Sequence, residues 1–272
     1  MFRGAPVVPQ RPGRVGASWS DRPMSTSRTL EIQTDAGPAE AYLTGEDGSP
    51  GVLFFVDAIG LRRQTREMAD RIASWGYVVL VPHVFHRDGT ADELAPQGDL
   101  REAGAREEFF ASGVMDRIGA LTPDLSGPDT EAWVRTLLEH AGDGPIGTTG
   151  YCMGGRLAVR AAADHPGTVG AVGGFHNGGL VTDEPDSPHT LLGATTAEYV
   201  FGHADQDSSM PLEAVTALEE ALDAAGRVHL NEVYEDAAHG YTMADTSMYD
   251  ERAAERHFHE LRRLLDRVLL AG

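Results

Sequence analysis

Lysine is absent from the sequence, cysteine occurs once, and positive charge is scarce. The 22 basic residues are all arginine and are outnumbered by 42 aspartates and glutamates, which gives a formal charge of −20 over 272 residues. Nucleic acids and anionic membranes bind surfaces on which positive charge is clustered. The sequence therefore predicts neither a nucleic-acid partner nor a membrane partner.

The single cysteine, Cys152, cannot form an internal disulfide, and no cysteine–histidine cluster has the spacing of a metal site. His257 and His259 stand two apart on a predicted helix and are expected to face different sides. We therefore expect no metal and no cofactor. The chain is expected to act as a monomer or a homodimer. A lone cysteine is most often a small buried hydrophobic residue, so its neighbours must decide whether Cys152 has a chemical role.

Long apolar runs are also missing from the chain. No segment approaches the roughly 20 apolar residues that a helix needs to cross a bilayer, and the N-terminal stretch lacks the apolar core of a signal peptide. Residues 1–27 are rich in proline and arginine and are predicted to form a disordered arm, with either Met1 or Met24 as the true start. These features predict a cytoplasmic protein.

Residues 28–272 alternate apolar runs of strand length with amphipathic stretches, which predicts one α/β domain with a mostly parallel central sheet and helices on both faces. The predicted strands are residues 29–33, 39–43, 51–56, 77–81, 145–149, 169–175, 199–202 and 229–234. The predicted helices are residues 63–75, 101–121, 130–140, 157–165, 212–225 and 250–270, and residues 85–100 are predicted as a loop.

The motif GYCMG at residues 150–154 follows a predicted strand and precedes a predicted helix. This is the G-x-C-x-G form of the nucleophile elbow, in which small residues on either side let a tight turn lift the nucleophile above the sheet. The helix dipole then favours a thiolate at Cys152, and the backbone N–H of Met153 faces the developing oxyanion. The motif predicts the α/β-hydrolase fold with Cys152 as nucleophile. The alternative is a structural cysteine in a glycine-rich turn.

The elbow requires an acid and then a histidine further along the chain. His239 follows the last predicted strand, where it would take the thiol proton. Asp205 and Asp207 follow the strand before it, and the acid would orient the imidazole of His239. Asp207 is favoured, although either aspartate could instead cap the helix that begins near Pro211, and His239 could be a loop histidine without a role.

Several segments, taken in order, resemble the dienelactone hydrolase family from about Thr29 to the C-terminus. They are residues 57–61, 76–82, 150–155, 207–211 and 238–241. The resemblance implies a catalytic triad of Cys152, His239 and Asp207. It also implies an oxyanion hole made by the backbone N–H groups of Met153 and Ala58.

The chain departs from the family at two positions. Family members often carry a glutamate that contacts the nucleophile before substrate arrives. This chain has the shorter Asp57 at that position. Asp57 either replaces the glutamate in this role or only makes a contact within its loop. Dienelactone enzymes also bind the substrate carboxylate with an arginine shortly after the histidine, where this chain has Thr242 and Met243. His176 follows a predicted strand at the same edge and lies either in the pocket or on the surface.

The function implied is hydrolysis of a small-molecule ester or lactone through a thioester acyl-enzyme, which is the chemistry of a carboxylic ester hydrolase. A non-catalytic binding or regulatory module on the same fold is the main alternative. A redox-sensing cysteine usually needs a resolving cysteine, which this chain lacks. Acyl transfer to an acceptor other than water remains open.

Overall fold

One eight-stranded sheet forms the centre of the structure, a computed structural model that describes residues 26–270. The strands lie in the order β1-β2-β4-β3-β5-β6-β7-β8. β2 runs antiparallel to both of its neighbours, and every other neighbouring pair is parallel. The bounds are β1 Ser27–Thr34, β2 Gly37–Thr44, β3 Gly51–Phe55, β4 Val78–Pro82, β5 Ile146–Tyr151, β6 Val169–Phe175, β7 Glu198–Ala204 and β8 His229–Tyr234. This order confirms the predicted mostly parallel α/β-hydrolase sheet.

The central strands are buried along their whole length, as their apolar sequences predict. Every residue of β3, β4 and β5 is buried, because helices cover both faces of a parallel sheet. β1 lies at the edge and alternates between more exposed and less exposed residues. The core therefore lies along the strands that lead to the nucleophile motif.

Helices pack on both faces of the sheet. The bounds are α1 Arg63–Ala73, α2 Ala91–Leu94, α3 Ala105–Ala111, α4 Val114–Ala120, α5 Pro123–His140, α6 Gly154–Asp164, α7 Leu212–Ala224 and α8 Glu251–Leu269, with a 3₁₀ helix at Pro188–Ala194. A Cβ on Gly147 would lie 2.5 Å from Leu265 of α8, whereas the Thr148 hydroxyl donates to Ala158 O of α6 at 3.3 Å. Successive strand residues point to opposite faces, so α6 and α8 cover opposite faces.

The predicted helix over residues 101–121 is wrong in one respect that affects the site. The segment forms two short helices, α3 and α4, because Gly113 interrupts it with a φ of 94°. Glycine adopts this left-handed conformation at little cost. Both helices contribute side chains to a cavity at the carboxyl edge of the sheet.

Other element boundaries also differ from the prediction. The segment 85–100 contains α2, and α5 begins at Pro123 rather than at residue 130. Proline suits the first turn of a helix because its missing N–H is not needed there. Most of the predicted arm lies outside the described residues, and Ser27, its last residue, already belongs to β1. In the described part of the chain, every helix is too short or too polar to cross a membrane.

Candidate active site

Backbone strain marks the carboxyl edge of the sheet. Across residues 26–270, the non-glycine residues with positive φ are Cys152 at 53°, His176 at 37°, Gln206 at 53° and Asp236 at 63°. Each lies within two residues of the end of one of the strands β5, β6, β7 and β8. Such conformations cost free energy and persist where function requires a particular geometry. The strain therefore identifies this edge as the candidate site.

The turn at Cys152 explains why glycines flank it. A Cβ on Gly150 would lie 2.1 Å from Gly154 O, and one on Gly154 would lie 2.5 Å from Phe55 O. No real Cβ tolerates such contacts, so only glycine fits at either position. The Cys152 N–H donates to Phe175 O at 3.1 Å, which ties the turn to the neighbouring strand. The side chain of Cys152 thus stands at the start of α6.

The structure brings Asp207, rather than Asp205, to His239. Asp207 Oδ2 lies 2.6 Å from His239 Nδ1, and Asp207 Oδ1 accepts from the Ser209 N–H at 2.8 Å. Asp205 instead accepts from the Asp236 N–H at 3.2 Å. Asp205 therefore stabilises the loop after β8, whereas Asp207 orients the imidazole.

Cys152 and His239 line the same cavity, and their side chains lie close enough to interact electrostatically. Burial opposes a positive charge on His239, but the negative charge of Cys152 and the hydrogen bonds to Asp207 and Cys152 raise the pKa of His239 to about 10. Burial also works against a charged Asp207, yet its contacts with His239 and the Ser209 N–H lower the pKa of that carboxyl group. These contacts favour a protonated His239 imidazole between the Asp207 carboxylate and the Cys152 side chain.

Ala58 and Met153 lie at the same cavity as Cys152. In the part of the chain that the structure describes, the backbone N–H of neither residue donates to another protein group. Backbone donors that are free and face a nucleophile can stabilise a developing oxyanion. The two amides that the resemblance implies are therefore available for that role.

Asp57 makes contacts other than the expected approach to the nucleophile. Its Oδ1 lies 2.7 Å from Arg62 Nη1 and accepts from the Ile59 N–H at 3.1 Å. Its Oδ2 lies 3.2 Å from Arg62 Nη2. Among the hydrogen bonds of residues 26–270, none joins Asp57 to Cys152. The shorter carboxylate is thus bound to its own loop and to Arg62.

His176 is fully buried and lines the cavity, which rules out the surface position. Its Nε2 lies 2.7 Å from the Thr242 hydroxyl, and its ring centroid lies 5.3 Å from that of His239. Burial and the neighbouring histidines His239 and His257 hold the pKa of His176 well below the usual value. His176 is therefore a neutral side chain beside His239.

The cavity holds about 350 Å³, within the range of small-molecule sites. Sequence reasoning missed the wall that α3 and α4 supply, namely Arg106, Phe110, Met115 and Ile118. The Arg106 guanidinium lies 4.6 Å from the centroid of the Phe110 ring, and among the ion pairs of the described residues it has no carboxylate partner. The only sequence signal was an aromatic pair, Phe109–Phe110, in an otherwise polar stretch.

Within residues 26–270, no group of histidine, cysteine, aspartate and glutamate side chains has the geometry to hold a metal ion.

Known proteins are similar to this chain in sequence. The model of the dienelactone hydrolase family matches residues 39–269. A Salmonella typhi protein named "Putative carboxymethylenebutenolidase" is 27% identical over 236 residues, which cover 84% of this chain and 81% of that protein. The carboxymethylenebutenolidase of Pseudomonas putida is 24% identical over 232 residues, which cover 83% of this chain and 90% of that protein.

A solved structure agrees with the fold. The crystal structure of a "Putative Dienelactone Hydrolase" from Klebsiella pneumoniae superposes with a TM-score of 0.72 at 20% identity, and the match covers 88% of this chain and 98% of that one. At this identity the likeness supports the fold alone, and the family match supports the activity class. The chain therefore belongs to the dienelactone hydrolase family and is a hydrolase with the α/β-hydrolase fold.

Proposed function

We propose that the protein hydrolyses a small carboxylic ester or lactone through a Cys152–His239–Asp207 triad and a thioester acyl-enzyme. The observation that carries the proposal is the hydrogen bond between Asp207 and His239, with Cys152 beside His239 at the wall of the same cavity. A nucleophile, a base and an acid that orients the base are the parts that covalent acyl transfer requires.

Acylation begins when the Cys152 thiolate attacks the carbonyl carbon and the carbonyl π electrons move to oxygen. The N–H groups of Met153 and Ala58 donate to that oxyanion. The tetrahedral intermediate then collapses, the bond to the leaving oxygen breaks, and the His239 imidazolium gives its proton to the alkoxide. A lactone opens in this step and keeps its alcohol on the acyl chain.

Deacylation uses the neutral His239 imidazole that acylation leaves behind. It takes a proton from water, and the hydroxide attacks the thioester carbonyl. The C–S bond breaks, the carboxylic acid leaves, and the thiolate and imidazolium are restored. Asp207 stabilises the imidazolium in both halves of the reaction without becoming protonated.

The cavity gives the substrate its expected chemistry. Its walls carry the apolar side chains of Phe110, Met115 and Ile118 together with the guanidinium of Arg106. A guanidinium in this position favours substrates with an anionic group. The relatives named carboxymethylenebutenolidase support a lactone with such a group. His176 contributes a neutral wall beside the base.

The test compares Cys152→Ala with the control Ser208→Ala, which changes an exposed side chain at the same cavity. Rates are measured with p-nitrophenyl acetate, a simple lactone and a carboxylated dienelactone. We expect Cys152→Ala to lose turnover of every substrate and the control to keep it. Retained turnover in Cys152→Ala would rule out a mechanism in which Cys152 is the nucleophile.

Labelling with low concentrations of iodoacetamide separates the enzyme from a binding or regulatory module. A triad thiolate should react much faster than free cysteine at neutral pH. A thiol that reacts no faster than free cysteine, together with no ester turnover, would favour the binding module.

A further inference from the structure

Arg62 occupies an unusual position for an arginine, because it is buried between two carboxylates from different loops. Its Nη1 lies 2.7 Å from Asp57 Oδ1, and its Nε lies 2.6 Å from Asp245 Oδ2. Nη2 contacts the second oxygen of each carboxylate, at 3.2 Å for Asp57 and 3.1 Å for Asp245. Nη1 also donates to Gly60 O at 3.1 Å. The planar guanidinium is thus bidentate to both partners, a geometry that lysine cannot reproduce.

Each of these carboxylates belongs to a loop that carries part of the site. Asp57 directly precedes Ala58, which lines the cavity and whose N–H is the proposed oxyanion donor. Asp245 lies in the loop between β8 and α8, which also contains His239 and the cavity-lining Met243. Arg62 therefore joins the loop of one oxyanion donor to the loop of the base.

The contacts also restrict Asp57. Oδ1 of this carboxylate accepts from Arg62 and from the N–H groups of Ile59 and Gly60, the latter at 3.3 Å. Oδ2 is bound by Arg62 as well. Rotation of this buried carboxylate towards the Cys152 thiolate is unfavourable, because the carboxylate would lose its charge-assisted hydrogen bonds.

We propose that Arg62 is a positioning residue of the hydrolytic site, which fixes the Ala58 amide against the His239 loop and holds Asp57 away from Cys152. This inference rests on the proposed function. Arg62 does not touch the reacting atoms; it acts through the two loops. Its loss should weaken oxyanion stabilisation while leaving the Cys152–His239 pair in place.

The test uses two reactions that need different parts of the site. Ester hydrolysis needs both the thiolate and the oxyanion donors, whereas alkylation of Cys152 by iodoacetamide is a displacement that needs the thiolate alone. Removing Arg62 alone would leave a buried carboxylate unpaired, so the main variant is the double substitution Asp57→Asn with Arg62→Met. Asp245→Asn is a milder second variant, since the Asp245 side chain is 34% exposed.

For the double variant we expect kcat with p-nitrophenyl acetate to fall by about 100-fold, the scale of a displaced oxyanion donor, with little change in KM. Asp245→Asn should lower kcat by about 10-fold, a smaller loss because Arg62 keeps its contacts with Asp57 and only its hold against the His239 loop is weakened. The alkylation rate should stay within about twofold of the wild-type rate in both variants. The control Arg63→Gln, at a side chain that is 91% exposed, should leave both rates unchanged.

Two results would overturn the inference. Wild-type kcat in Asp245→Asn and in any folded double variant would show that the bridge does not position the site. A parallel fall in hydrolysis and alkylation would show that it maintains the Cys152–His239 pair instead of the Ala58 amide. Failure of the proposed function is distinguishable from both, because the wild-type protein itself would then hydrolyse no ester.

Discussion

Acid should destabilise this protein through histidines that are buried in their neutral form, and His257 allows the magnitude to be worked out. His257 is completely buried, with Nδ1 2.5 Å from Ala254 O and Nε2 3.2 Å from the Tyr151 hydroxyl. Nδ1 carries the proton that is donated to the carbonyl, so Nε2 accepts from the tyrosine. Burial lowers the pKa of His257 from 6.5 to about 3.

The sign follows from proton binding. Below pH 6.5 the unfolded chain binds a proton at His257 that the folded protein does not, so the free energy of unfolding falls as the pH falls. The loss continues down to a pH near the folded pKa of about 3. At 1.36 kcal/mol per pH unit, His257 alone costs about 2 kcal/mol between pH 7.5 and pH 5.0.

Urea unfolding followed by tryptophan fluorescence at several pH values measures this loss. We expect His257→Phe to lose about 2 kcal/mol less stability than the wild type between pH 7.5 and 5.0. The control His259→Gln lies on the same helix with a side chain that is 68% exposed, and it should keep the wild-type pH dependence. Equal pH dependence in His257→Phe and the wild type would refute the reasoning.

Two further predictions concern the site. Asp207→Asn should lower kcat for p-nitrophenyl acetate by about 10⁴-fold, the loss known for a triad that loses its orienting carboxylate. Its isosteric control Asp205→Asn should stay near the wild-type rate, and similar losses in both would contradict the assignment of the acid. Arg106→Gln should lower kcat/KM for a carboxylated ester about 10-fold more than for its neutral methyl ester, the scale of one charge-assisted hydrogen bond. Equal losses for the two substrates would show that Arg106 does not bind the anionic group.

The fold was predictable because short apolar runs in the sequence indicate where its strands lie. Continuous apolar runs such as GVLFF in β3 predict strands that are buried on both faces, and the structure has them. The glycines of the elbow were predictable for a similar reason, since the clash that excludes a Cβ at Gly150 and Gly154 is with the same turn or an adjacent strand.

The choice of acid, the Arg62 bridge and the cavity wall depend on contacts between distant parts of the chain, which local sequence patterns do not predict. Asp205 and Asp207 follow the same strand, and only the direction of each side chain decides which one meets His239. The Arg62 bridge joins residues that are 183 positions apart. The cavity wall comes from two helices, α3 and α4, because Gly113 has a positive φ, whereas the sequence predicted one continuous helix over residues 101–121.

Trapping the acyl-enzyme tests the central claim most directly. The wild-type protein is mixed with p-nitrophenyl acetate, quenched in acid during turnover and digested, and the peptides are analysed by mass spectrometry. We predict one acetyl group on the peptide that contains Cys152, and none on that peptide in Cys152→Ala. An acetyl group on another side chain during turnover, or undiminished turnover in Cys152→Ala, would contradict the assignment of Cys152 as the nucleophile.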